Sequence, residues 1–259
     1  MADTQLNWLG IYAHEADYAA HLLLRGAATG NPQAQAQLGQ ILLDGRGIQQ
    51  DHALAYRWFG IAAAAGHIQA RNMLGRCLQM GWGCTVDLVA AAEHYRQAAT
   101  TGYDWALYNY ANMLAKGWGV AQDMPAALAH YQQAAAQGHA KAMNLVGRFY
   151  EEGWVVPADA DTAFTWYHRS ALAGDFRGQC SYASMLTSQG RLAEAVAWLR
   201  RAMQLATPAF LLNMASALRT CGHACLREIG EEMHARAHLS PQAGAYAHSG
   251  QDDGSLPTV

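Results

Sequence analysis

Large apolar residues recur four positions apart in several stretches of the chain, which places them on one face of a helix. One column reads Leu38, Leu74, Tyr110 and Val146, and a second reads Leu42, Leu78, Leu114 and Tyr150. Both advance by 36 residues, so the helix carrying them is repeated at a fixed interval. Gly45, Gly81, Gly117 and Gly153 follow at the same spacing, and each predicts a left-handed residue that ends a first helix, A. Asp51, Asp87, Asp123 and Asp159 come next, each an N-cap for an Ala-rich second helix, B. Helix B closes at Gly66, Gly102, Gly138 or Gly174. Each unit is thus an antiparallel helix pair, and a period between 20 and 50 residues is the mark of a solenoid.

Asn31-Pro32 opens the first full unit as an N-cap followed by proline at the first helical position. Four full units span 31–174, preceded by a degenerate capping stretch over 1–30 in which Leu9-Gly10 echoes the later Leu-Gly pairs. Beyond Gly174 the loop between helices contracts to Ser188-Gln189-Gly190-Arg191, and Trp198 follows Trp166 by only 32 residues. A sixth pair, opened by Thr207-Pro208, completes shortened units over 175–239. The expected whole is a single all-α solenoid over 1–239, with a mobile tail at 240–259 where periodicity is lost.

Composition narrows the function classes. The chain is rich in Ala and Gly and poor in Val and Ile, which suits close-packed helices. Its formal charge is -3, and basic residues never run longer than Arg200-Arg201, so a nucleic-acid or anionic-membrane footprint is absent. No window approaches the roughly 18 consecutive apolar residues of a membrane span. Met1 to Gly10 holds polar residues where a signal peptide needs a charged start and an apolar run. That predicts a cytoplasmic chain whose five cysteines are mostly reduced.

The arrangement Leu38-Gly39, Gly45, Gly47, Asp51, Ala55, Trp58-Phe59, Ala62-Ala63 and Gly66, repeated three more times, resembles the Sel-one-like repeat, a relative of the tetratricopeptide repeat. The resemblance implies a right-handed αα superhelix of about six helix pairs, acting as a scaffold or adaptor for proteins or peptides. It implies no catalytic residue and no cofactor. The chain itself agrees, for it contains no P-loop, no GxSxG and no GxGxxG after a strand.

In such a solenoid the A helices line the concave surface. The column not spent on the core contains Asn72, Arg76, Gln79, Tyr108, Asn112, Asn144, Arg148 and Glu151. Asn can bond a peptide backbone bidentately and Arg can clamp a carboxylate, so the column either grips an extended peptide or is merely solvated. Trp82, Trp118 and Trp154 each follow a helix-ending glycine, with Arg46 in the first unit. They either form a ridge open to partners or pack over their own loops.

Two further groups carry candidate chemistry. Cys221, His223, Cys225, His234 and His238 fall close together, and His234 and His238 are spaced i, i+4 as zinc ligands on a helix can be. No strong zinc signature is present, and solvent-facing histidines are the plainer reading, with a metal-linked or small-molecule accessory role as the alternative function. Cys77 and Cys84 are seven apart, near the spacing at which exported relatives of the resembled family carry disulfides. In a reducing compartment two small buried hydrophobes are the simpler account.

Overall fold

Every glycine and aspartate of the repeated grammar marks a helix boundary in the computed structural model of the protein, which describes residues 23–239. After a helical stretch at 23–28, the described residues form twelve helices. These are α1 (Pro32–Asp44), α2 (His52–Ala64), α3 (Ile68–Met80), α4 (Leu88–Ala99), α5 (Asp104–Lys116) and α6 (Met124–Ala136). There follow α7 (Ala140–Glu152), α8 (Ala160–Leu172), α9 (Phe176–Ser188), α10 (Leu192–Leu205), α11 (Pro208–Arg219) and α12 (Ala224–Leu239). No strand occurs among the described residues. Residues 1–22 of the expected capping stretch and the expected tail at 240–259 lie outside them.

The boundaries follow from local chemistry. Asn31 caps α1, its Oδ1 accepting the amides of Gln33 and Ala34 at 3.0 and 3.1 Å. Gly45 ends the helix at φ 68°, and its amide donates to the Ile41 carbonyl. Asp51 then does two things at once. Its side chain accepts the Leu54 amide at 2.9 Å, opening α2, while its own amide donates back to the Leu42 carbonyl at 3.0 Å. The same return bond joins Asp87 to Leu78, Asp123 to Leu114 and Asp159 to Tyr150, so one aspartate per unit both starts helix B and ties it to helix A.

Packing between the paired helices is set by an aromatic ring meeting a glycine. Phe59, Tyr95, Tyr131 and Tyr167 on the B helices are fully buried. Phe59, Tyr95 and Tyr167 rest on Gly39, Gly75 and Gly147, where an added Cβ would approach the ring to between 2.8 and 2.9 Å. The small side chain of helix A is therefore what lets the ring in.

Two compact units divide the chain: one ends at Ala106 and includes Trp118–Val120, and the other takes Leu107–Gly117 and everything from Ala121. Within the first, α1 packs on α2, α2 on α3 and α3 on α4. Within the second the same succession runs from α6 to α10, α7 also meets α9, and α12 packs on both α10 and α11. The shortened pair is visible as α9 and α10 joined through Gly190 at φ 75°.

Candidate partner-binding surface

The polar column of the A helices divides into buried and accessible members. In the first compact unit, Asn72 on α3 is buried, whereas Arg76 and Gln79 keep exposed surface. The Arg76 guanidinium lies over the Trp82 ring at 5.2 Å, and Gln79 accepts the Tyr95 hydroxyl at 2.7 Å. In the second compact unit, Tyr108 on α5 is buried and stacks on His139 with ring centroids 4.7 Å apart. Asn112 is buried as well, its Oδ1 accepting the Tyr131 hydroxyl at 2.6 Å. On α7, Asn144 is buried with its Oδ1 unpaired, Arg148 lies over the Trp154 ring at 5.1 Å, and Glu151 accepts the Tyr167 hydroxyl at 2.5 Å. Burial, reinforced by the Glu151 carboxylate, pushes the Tyr167 phenol well above its ordinary range.

The expectation of an open column is thereby corrected for Asn72, Tyr108, Asn112 and Asn144. In the third repeat unit Tyr108 stacks on the α7 cap residue His139, and Asn112 spends its acceptor on the helix-B Tyr131. Arg76, Gln79, Arg148 and Glu151 remain as the accessible part.

Two of those four also meet the tryptophan series. Trp82 is half-buried between Arg76 and the ring of His52, 6.5 Å away. Trp154 is half-buried against the edge of Phe149 at 5.2 Å and beneath Arg148. Trp118 stays 37% exposed. The arginines and tryptophans that sequence spacing assigned to separate features thus form Arg–Trp pairs, an arrangement favoured by the negative face of the indole.

Sequence reading missed what carries the first unit's loops. Gly83 sits so near the His52 carbonyl, and Gly119 so near the Leu88 carbonyl, that a Cβ at either would lie 2.1 Å from that oxygen. Each of these loops rests on the start of an earlier B helix. The available signal was the second glycine of each Gly-X-Gly, which the fourth unit lacks because Val155 stands there.

The His/Cys group does not converge. Cys225 begins α12 and His238 ends it, about 20 Å apart at the rise of a helix. His234 and His238 alone meet, with Nε2 atoms 3.4 Å apart, and among the described residues no group of three or more His, Cys, Asp or Glu could hold a metal ion. Cys77 and Cys84 are unbridged, and the Cys84 thiol donates to the Cys77 carbonyl at 3.4 Å. Burial, with Cys84 close by, pushes the Cys77 thiol up to about 12.

No helix among the described residues is long and apolar enough to cross a membrane. The Sel1 repeat family matches residues 32–67, 68–103, 106–139 and 140–175, more than half of the chain. Among solved structures, a Sel1 repeat protein from Oxalobacter formigenes is similar over 89% of this chain and 97% of its own, at 24% identity and a TM-score of 0.74. A second is c5321, a protective antigen of uropathogenic Escherichia coli with an SLR fold, at 25% identity and a TM-score of 0.65. The match covers 83% of this chain but 47% of c5321, so this chain spans about half the antigen's length. The immunity protein PA5088 from Pseudomonas aeruginosa is similar at 16% identity and a TM-score of 0.58, over 82% of this chain and 83% of its own. No curated protein matches the chain. These likenesses establish an all-α superhelical repeat fold.

Proposed function

The chain belongs to the Sel1 repeat family, and from that premise we propose that it is a non-catalytic scaffold that binds a protein or peptide along the polar face of its A helices. Sel1 repeat proteins are in general protein-interaction scaffolds, typically without catalysis. The observation that carries the reading is Arg148 over Trp154 at 5.1 Å on α7, both partly exposed, with Glu151 one turn away. An indole takes the face of a guanidinium while a carboxylate takes its edge, so a stacked arginine is held in place for an acidic or C-terminal group of a partner. Holding the long side chain in advance reduces the entropy lost on binding. Arg76 over Trp82 repeats the device in the first compact unit.

Affinity capture with the purified chain, followed by mass spectrometry and a titration of the recovered protein, tests this. Arg148→Ala is expected to weaken the titrated binding at least tenfold, the loss of about 1.4 kcal/mol for a charge-assisted bond. Stability should change little, because an exposed Arg–Trp pair contributes only about 0.5–1 kcal/mol. A partner held as tightly by Arg148→Ala as by the parent chain excludes this face.

A further inference from the structure

Near the end of α12, two imidazoles converge. His234 and His238 stand one helical turn apart, and their rings meet edge to face with centroids 4.6 Å apart. Their Nε2 atoms approach to 3.4 Å. His238 is exposed and His234 partly so. The nearby carboxylates are engaged elsewhere, Glu231 with Arg219 at 3.2 Å and Glu232 with Arg200 at 2.8 Å.

A nitrogen-to-nitrogen contact of 3.4 Å is long for a hydrogen bond, whose ordinary length is nearer 2.9–3.0 Å. It suits another geometry better. Zinc binds imidazole nitrogen at about 2.0–2.1 Å, and two ligands of a tetrahedral ion are then separated by about 3.3–3.4 Å. We propose that His234 and His238 chelate one divalent transition-metal ion of the imidazole-binding class, represented by zinc, at the last turn of α12. With no third protein ligand among the described residues, water fills the other positions and the ion exchanges readily. Both rings bind as neutral imidazoles through Nε2 with the proton on Nδ1, so acid competes with the ion. Bound there, the ion links two residues of adjacent turns and stiffens the end of the helix. The site uses none of the A-helix residues and does not depend on the scaffold reading.

Calorimetric titration of the tag-free full chain with zinc chloride at neutral pH is the test. One ion per chain is expected. Loss of a partner that merely orients a metal ligand weakens binding about 10–100-fold, so His234→Ala and His238→Ala, which each remove a direct ligand, should weaken it at least about tenfold. His223→Ala, at the other end of the last helix pair, should leave the titration unchanged. Alanine favours helix at both positions, and circular dichroism verifies that the variants fold. Absence of zinc uptake, or uptake undiminished in the double variant His234→Ala/His238→Ala, overturns the proposal. Copper(II) gives a second reading, since electron paramagnetic resonance should detect two equatorial nitrogen donors in the parent chain. One nitrogen or none would equally overturn it.

Discussion

Gly147 lies against the ring of Tyr167 so closely that a Cβ built on it would stand 2.8 Å from both Cδ1 and Cε1. Alanine in a helix interior is ordinarily better than glycine by about 1 kcal/mol. At this position overpacking opposes that gain by about 1–3 kcal/mol, because Tyr167 is fully buried and has nowhere to retreat. Gly147→Ala is therefore expected to lower stability in a urea melt. Gly60, inside α2 with no described residue within 4 Å of its would-be Cβ, supplies the opposite case, and Gly60→Ala should raise stability by about 0.5–1 kcal/mol. Equal effects of the two substitutions would show that ring-on-glycine packing does not govern the hairpin.

The left-handed glycines give a second pair of contrasting substitutions. Gly138 and Gly119 have φ of 94° and 67°, so alanine is strained at both, by about 1–2 kcal/mol for the left-handed backbone. Gly138 has no described residue within 4 Å of a would-be Cβ, whereas a Cβ on Gly119 would lie 2.1 Å from the Leu88 carbonyl oxygen, a backbone atom that cannot swing aside. Gly119→Ala should accordingly cost about 3 kcal/mol or more, with Gly138→Ala near the strain value alone. Chemical denaturation of both variants checks this, and comparable losses would mean that the loop contact yields.

These two cases also mark how far the sequence could be read. Helix boundaries were legible because their causes are local: a left-handed glycine and an aspartate cap act within a few residues of themselves. Close approach is not local. The Leu88 carbonyl that lies against Gly119 belongs to an earlier helix, and nothing in the residues around Gly119 announces it. The A-helix column failed for a similar reason. Asn112 looks solvent-facing by helical periodicity, yet its partner is Tyr131 on the next helix, and only folding brings the two together. Arg148 and Trp154 were each legible as binding residues, but their pairing was not, since it depends on how the loop after Gly153 turns back.

Half-buried histidines make stability depend on pH. His67, His94 and His130 are all held below the ordinary imidazole value by burial, and Arg71 adds to the effect at His94 while Glu93 opposes it. The buried Nδ1 atoms of His94 and His130 have no hydrogen-bond partner. A lowered value in the folded state means that the unfolded chain takes up protons first. Stability is thus fully present above the unfolded value of about 6.5 and is lost as pH falls from there toward the lowered folded values. Melting temperature should drop between about pH 7.5 and about pH 5.5. Tryptophan occupies the equivalent positions 58 and 166, so His130→Trp should fold and show a smaller drop. A flat profile over that range in the parent chain would rule this out.

The tyrosines of the B helices predict a graded series. Tyr95 donates to Gln79, which keeps exposed surface, and Tyr131 donates to Asn112, which is buried. In the first repeat the corresponding pair is Phe59 and Leu43, both buried and apolar, so the site accepts a hydrocarbon solution when both partners change together. Removing only the hydroxyl leaves an acceptor behind. Water reaches Gln79, and Tyr95→Phe should lose no more than the net value of one hydrogen bond, about 0.5–1.5 kcal/mol. Asn112 is buried, so water does not readily replace the Tyr131 hydroxyl, and Tyr131→Phe should lose about 1–3 kcal/mol. The Tyr95→Phe/Gln79→Leu double variant, which reproduces the first repeat, should recover part of the Tyr95→Phe loss. Urea midpoints of the three variants order them, and a Tyr131→Phe midpoint at or above that of Tyr95→Phe would mean that burial of the acceptor does not set the cost.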